Sequence, residues 1–268
     1  MNKKTITISG IIISLICVAL RTVTLVYATE EKTGFFVSRL IPVGIALSAA
    51  TFILTLIITA FSFTVKENAQ NEFALSKKSG VFAVVLGVAI LAYSLGFGTH
   101  QFAMEWQHTL EIVSGIACAV WFIFYGMTAI VKMKLPLITM AIPAIHWVIK
   151  IMVIFSTFST AALVAEHIYT LSAVCITALF MLTFGKTVAG VSGKKALSTF
   201  YPTAICAAIL NFTVSLSRII VAILGQTDKI HGEAAVDIVG LAVGLLMLFI
   251  TADIGTIKNE ENENEIQC

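Results

Sequence analysis

Eight long apolar runs, at residues 5–27, 36–64, 80–98, 110–131, 135–158, 163–184, 199–224 and 234–254, constrain this chain more than any other feature. Each matches the roughly 20 residues that an α-helix needs to cross a hydrocarbon core about 30 Å thick. Irregular backbone cannot face hydrocarbon, because its N–H and C=O groups would be left without partners. The runs are also too long, and alternate too little, to be barrel strands. The predicted fold is therefore all-α, a polytopic transmembrane helical bundle of about eight spans. Composition agrees, with 12% charged residues where a soluble domain has about 25%. A net charge of +2 over 268 residues makes no basic face, so nucleic acid is excluded as a partner.

Lysine and arginine placement sets the expected orientation. With the amino terminus in the cytoplasm, the inside segments hold 11 lysines (Lys3, Lys4, Lys66, Lys77, Lys78, Lys132, Lys134, Lys186, Lys194, Lys195 and Lys258) and the outside loops hold 2, Lys32 and Lys229. Both termini are then cytoplasmic. The first run has the lysines of a secretory leader before it and small residues around Val26-Tyr27-Ala28, but Arg21 inside the run argues that it is retained. The expected location is the plasma membrane, with the lipid bilayer as first partner. The acidic tail, residues 258–268, reads as disordered.

The chain divides into two four-helix halves, residues 1–131 and 132–257, if a weak internal repeat is accepted. Residues 108–114, His-Thr-Leu-Glu-Ile-Val-Ser, overlay residues 234–240, Ala-Ala-Val-Asp-Ile-Val-Gly, so that Glu111 falls on Asp237. The same overlay brings Arg21 near Lys150 and Arg39 near Glu166. Such a 4+4 repeat would have its axis along the membrane normal. Ser114 with Cys118, and Gly240 with Gly244, are small residues one turn apart that would let helices approach closely.

Ionisable residues near the bilayer centre cost at least about 2.5 kcal/mol each, so they turn into the bundle or snorkel. Arg21, Arg39, Glu111, Lys150, Glu166, Arg218 and Asp237 all fall in the outer half of the predicted spans. His146 lies about one turn from Lys150, and His167 beside Glu166. Arg21, Lys150, Glu111, Asp237, His146 and Glu166 are the candidate ligand-binding residues of an outward-facing polar cavity. In it Arg21 and Lys150 would be the deep cations, and Glu111 and Asp237 their partners from opposing helices. The alternative is that these side chains reach headgroups or pair structurally. Pro143, one turn before His146, either kinks the fifth span and frees carbonyls into the same cavity or, more commonly for such a proline, is simply tolerated in a transmembrane helix, and Pro42 carries the same ambiguity.

Several chemistries lack their residues. Cys17, Cys118, Cys175 and Cys206 stand singly in apolar runs and read as small buried hydrophobes, while Cys268 lacks a prenylation context. Gly185-Lys186-Thr187 is no phosphate loop, because Phe180 stands where the first glycine belongs. No metal motif occurs, the last span has no lysine for a retinal Schiff base, and no serine elbow is visible. The chain is expected not to be an enzyme, to use no cofactor and to bind no metal.

The stretch from Glu166-His167-Ile168 to Phe184-Gly185-Lys186-Thr187-Val188-Ala189-Gly190-Val191-Ser192-Gly193-Lys194-Lys195, with the aromatic pair Phe200-Tyr201, resembles a group of multi-pass membrane proteins of anaerobic Gram-positive bacteria without assigned activity. The resemblance covers about a fifth of the chain and implies a bacterial cell membrane. The expected function is a transporter, or a subunit of a transport complex, for a small polar or anionic solute. The alternative is a sensor or accessory protein that binds a ligand or a membrane-protein partner without moving anything.

Overall fold

The computed structural model describes residues 3–30, 34–65, 76–97, 106–131, 136–158, 165–189, 193–230 and 234–253. They contain eight α-helices: α1 (Lys3–Val23), α2 (Ile41–Ser62), α3 (Lys77–Ala92), α4 (Trp106–Val131), α5 (Ala141–Phe158), α6 (Ala165–Val188), α7 (Gly193–Ile223) and α8 (Ala234–Asp253). Each apolar run of the sequence forms one of them. Seven are long and apolar enough to cross a membrane, and α8 carries a shorter apolar stretch, Ile238–Ala252. The molecule is an apolar helical bundle compatible with an integral, multi-pass membrane protein. The tail 258–268 lies outside the described residues.

Local chemistry explains the helix ends. The Ser76 hydroxyl accepts the Ser79 amide at 3.2 Å and caps α3. Pro42 sits in the first turn of α2, where a missing N–H removes no intrahelical bond. Pro143 likewise falls in the first turn of α5, directly after the 3-10 turn Leu137–Met140. The carbonyl such a proline can free belongs to Thr139, ahead of the helix and more than two turns from Lys150, which fits the tolerated proline rather than a source of carbonyls for the cavity. The interior proline is Pro202, in α7. Helix α1 ends in a wide π turn, Thr24–Ala28, and then an antiparallel bridge from Thr29 to Phe36. The reversal between them places Gly34 at φ 69°, which glycine adopts without strain.

Side-chain contacts show that the helices run up and down. In α1 and α2 the Cys17 thiol reaches the Thr51 carbonyl. In α4 and α5, Trp121 Nε1 donates to Thr139 Oγ1 at 3.2 Å, and Ser114 meets His146 at 3.1 Å further along. In α6 and α7, Thr183 meets Thr203 and Thr177 meets Asn211. In α7 and α8, a Cβ on Gly240 or Gly244 would touch Ser215 or Phe212. Between α3 and α4 backbone comes close to backbone, so that a Cβ on Gly87 would lie 2.7 Å from Ile123 Cγ1 and 2.8 Å from the Ala119 carbonyl. A glycine is required there because two backbones meet with no room for a methyl group.

Helix α7 is the axis. In the most apolar 18 residues of its span Ser198–Ile223, 83% are buried, against 22% in the corresponding 18 residues of Ser38–Ser62 in α2. It packs on α1, α2, α6 and α8, whereas α3, its counterpart in the expected repeat, packs on α4 and α8. The small residues Ala204, Ala207 and Ala208 are fully buried and allow this crowding. The two ends of the bundle differ in chemistry. Around the start of α7, the rings of Trp121, Phe122, Tyr125, Phe180, Phe184, Phe200 and Tyr201 pack in stacked, tilted or edge-to-face pairs, with centroids 4.7–6.4 Å apart. Towards the opposite end the interior turns polar.

Candidate functional site

Strong side-chain donors and acceptors gather where α1, α3, α5 and α7 end and α2, α4, α6 and α8 begin. Arg21, Lys150, Arg218, Glu166 and His146 are each no more than 4% exposed. Glu111 is more accessible, with a side-chain exposure of 13%, and Arg39 stands exposed outside the set. For Asp237 only the backbone, in the first turn of α8, belongs to the described residues.

One cluster joins α3, α4 and α5. Lys150 Nζ lies 3.9 Å from Glu111 Oε1, an ion pair too long for a direct hydrogen bond. The ammonium also sits 4.6 Å from the Tyr93 ring centre and 5.5 Å from that of Trp147, so aromatic faces supply part of its solvation. One turn away, Ser114 Oγ donates to the Glu111 carbonyl at 3.0 Å and lies 3.1 Å from His146 Nδ1. A hydroxyl has one proton, so both contacts are satisfied when Nδ1–H donates to Ser114. His146 Nε2 is then left as an acceptor. Tyr93 opens the wide turn Tyr93–Phe97 that ends α3.

A second cluster joins α1, α2, α6 and α7. Arg218 Nε lies 3.2 Å from Glu166 Oε1. The Arg21 guanidinium lies over the Tyr169 ring, 4.3 Å from its centre, and Phe52 stacks on the same ring at 4.8 Å. Among the described residues Arg21 forms no ion pair, and its Nη1 is buried without a hydrogen-bond partner.

Between the clusters, Trp147, Lys150, Asn211, Ser215, Val239 and Gly240 border a cavity of about 20 Å³. That is room for about one water molecule. Asn211 is held by two donations from its amide, each 2.8 Å, to Thr177 Oγ1 and to the Ala207 carbonyl.

The expected charge pairing needs correction. Lys150 does face Glu111, from the adjacent helix α4. Arg21 faces an aromatic ring, and Glu166 pairs with Arg218, which the sequence had left out of the candidate set. The sequence reading also missed Tyr93, Trp147 and Tyr169. Their signal was faint: an aromatic residue three positions from a buried charge, as in Glu166 to Tyr169 or Trp147 to Lys150, lies on the same helix face. Cys17, Cys118 and Cys206 are buried as expected, while Cys175 is half-buried. Among the described residues no group of three His, Cys, Asp or Glu side chains is placed to hold a metal ion. The arrangement offers charge-assisted hydrogen bonds in a dry interior.

No protein-family model, no curated protein and no solved structure matches this chain.

Proposed function

We propose that the chain is an eight-span plasma-membrane protein with both termini in the cytoplasm, and that it binds a small polar solute in its polar outer half and moves it across the bilayer. The observation that carries this reading is the burial of Arg21, Lys150, Arg218 and Glu166 at one level of the bundle. Charges that served only to anchor the helices would lie at the interface and snorkel, at lower cost. The role is binding and passage, with no bond made or broken. The aromatic layer around Trp121, Tyr125, Phe184 and Phe200 would close the cytoplasmic half while the outer half admits solute. Since the cavity beside Lys150 has room for one water, solute entry requires the helices around it to part.

The 4+4 relation has support from the two tight hairpins, α3 with α4 and α7 with α8, which occupy equivalent places in the two halves. The central position of α7 has no equivalent at α3.

The test is reconstitution of the purified chain into lipid vesicles with a panel of amino acids, short organic acids and amines. Solute-dependent thermal stabilisation together with counterflow is expected for one class, and both should fall in Lys150→Ala and Glu111→Ala. Stabilisation without flux would favour the sensor reading. Wild-type stability of Arg21→Ala, Lys150→Ala and Glu111→Ala alike would mean that these side chains only snorkel, and would end the cavity reading.

A further inference from the structure

The cavity between the two clusters is bordered by four helices, with Trp147 and Lys150 from α5, Thr170 from α6, Asn211 and Ser215 from α7 and Gly240 from α8. Hydroxyls in apolar helices usually return their proton to a carbonyl of the preceding turn, as Thr213 and Ser217 do on α7 at 2.7 and 2.6 Å. Ser215, between them, is 2% exposed and forms no hydrogen bond among the described residues, and Thr170 forms none either.

The orientation of the Asn211 amide is fixed by its partners. Thr177 Oγ1 gives its proton to the Ala173 carbonyl, so it accepts from Asn211, as the Ala207 carbonyl must. Both protons of Asn211 Nδ2 are then used, and Oδ1 is left as an acceptor with no partner among the described residues. A Cβ on Gly240 would collide with Ser215 Oγ and lie 3.5 Å from Asn211 Oδ1, so these two oxygens meet at one spot on α8. Trp147, on the same border, keeps its indole N–H buried without a hydrogen-bond partner.

A polar cavity with room for one water and two to four polar partners meets the conditions under which buried water is bound. Its chemistry is that of a neutral group. An anion would face the Asn211 carbonyl oxygen, and a metal ion would lie beside the Lys150 side chain, so neither suits it.

We infer that this cavity seats one neutral hydroxyl group, which donates to Asn211 Oδ1 and accepts from Ser215 or Thr170. In the closed bundle that group belongs to a water molecule, and when the helices part the hydroxyl of a solute takes its place. The second step rests on the proposed solute-binding role and makes the solute a hydroxylated one.

The experiment has one arm for each source of the hydroxyl. X-ray radiolysis of the full chain in detergent, read by mass spectrometry, oxidises buried side chains that touch an ordered water. Trp147 and Trp121 are both buried, at 2% and 4% exposure, and Trp121 belongs to the aromatic layer. Trp147 should be oxidised well above Trp121, and Asn211→Leu should bring it down to the level of Trp121. Should that variant fail to fold, the double variant Thr170→Val with Ser215→Ala, which removes two hydroxyls and leaves a water one strong partner, should do the same. In the second arm the thermal unfolding midpoint is followed with solutes that differ by one hydroxyl, serine against alanine and lactate against propionate. In at least one pair the hydroxylated member should half-saturate at about tenfold lower concentration, the loss expected when a buried acceptor is left unpaired. Equal half-saturation within both pairs, with Trp147 still oxidised, overturns the solute step and leaves the seat to water. Oxidation of Trp147 no greater than that of Trp121, or unchanged in the variants, overturns the whole inference. Counterflow in vesicles reports on the solute-binding reading separately, so loss of this seat and loss of that reading are told apart.

Discussion

At the scale of single residues the energetics are dominated by buried charge. Glu166 is 4% exposed and serves Arg218 directly and Arg21 through space. Removing it takes away the carboxylate that Arg218 Nε faces and that lies within electrostatic range of Arg21. Glu166→Ala should lower unfolding free energy by about 3–5 kcal/mol. The double variant Glu166→Leu with Arg218→Met, which removes the pair together, should recover part of that loss. Thermal unfolding in detergent measures both, and a Glu166→Ala protein as stable as wild type would show that the pair carries no structural load. Glu111 behaves differently because it is half-buried and 3.9 Å from Lys150. Glu111→Gln should cost within about 1 kcal/mol, the range of a partly screened pair. A loss as large as that of Glu166→Ala would place Glu111 in a drier setting than its exposure indicates.

At the scale of elements, close helix approach replaces the hydrophobic effect, since lipid tails are as apolar as leucine and van der Waals contact must hold the helices together. The α3 and α4 hairpin shows this most plainly, through Gly87 against Ala119 and Ile123 and through Gly80 against Gly126 and Ala129. Gly87→Val should push the two helices apart and cost about 1–3 kcal/mol, the usual range for overpacking. Because Tyr93 lies beyond Gly87 on α3 and faces Lys150, the same substitution should also weaken solute-dependent stabilisation. Gly96, around which no atom lies within 4 Å of an added Cβ, provides the control, and Gly96→Ala should be nearly neutral. Equal losses in the two variants would remove the close-packing account.

At the scale of the whole molecule the question is which end faces which side. The basic bias predicts that reporter fusions after Lys78, Lys134 and Lys195 report cytoplasm, and fusions near Lys32, His100 and Lys229 report the exterior. The polar end would then be the outer one, because Arg21 and Lys150 lie late in helices that run outward. An exterior signal after Lys134 or Lys195 would reverse the bundle and turn the polar end to the cytoplasm. The Lys229 ammonium, which donates to the Val26 carbonyl, ties the connection between α7 and α8 to the wide turn after α1 at that end.

The sequence by itself determined the helices, their up-and-down order and the level at which the charges lie. All three follow from one dimension, the thickness of hydrocarbon measured along a helix with a rise of about 1.5 Å per residue. Only the tertiary structure decided which helix is central and which charge meets which. The most apolar 18 residues of α6 and of α7 have the same mean hydropathy, 1.9, yet 44% of one set and 83% of the other is buried. In water a buried face is marked by its contrast with a polar one. In lipid both faces of a helix are apolar, so that contrast vanishes and hydropathy cannot separate axis from periphery. What marks α7 is its small and hydroxyl side chains, Ala204, Ala207, Ala208, Thr213, Ser215 and Ser217, a packing signal independent of hydropathy. The pairing of Arg218 with Glu166, and of Arg21 with Tyr169, depends on the rotation of each helix about its own axis. That rotation is set by contacts between residues far apart in the chain, as in Cys17 with Thr51 and Thr177 with Asn211, and position along one span carries no record of it.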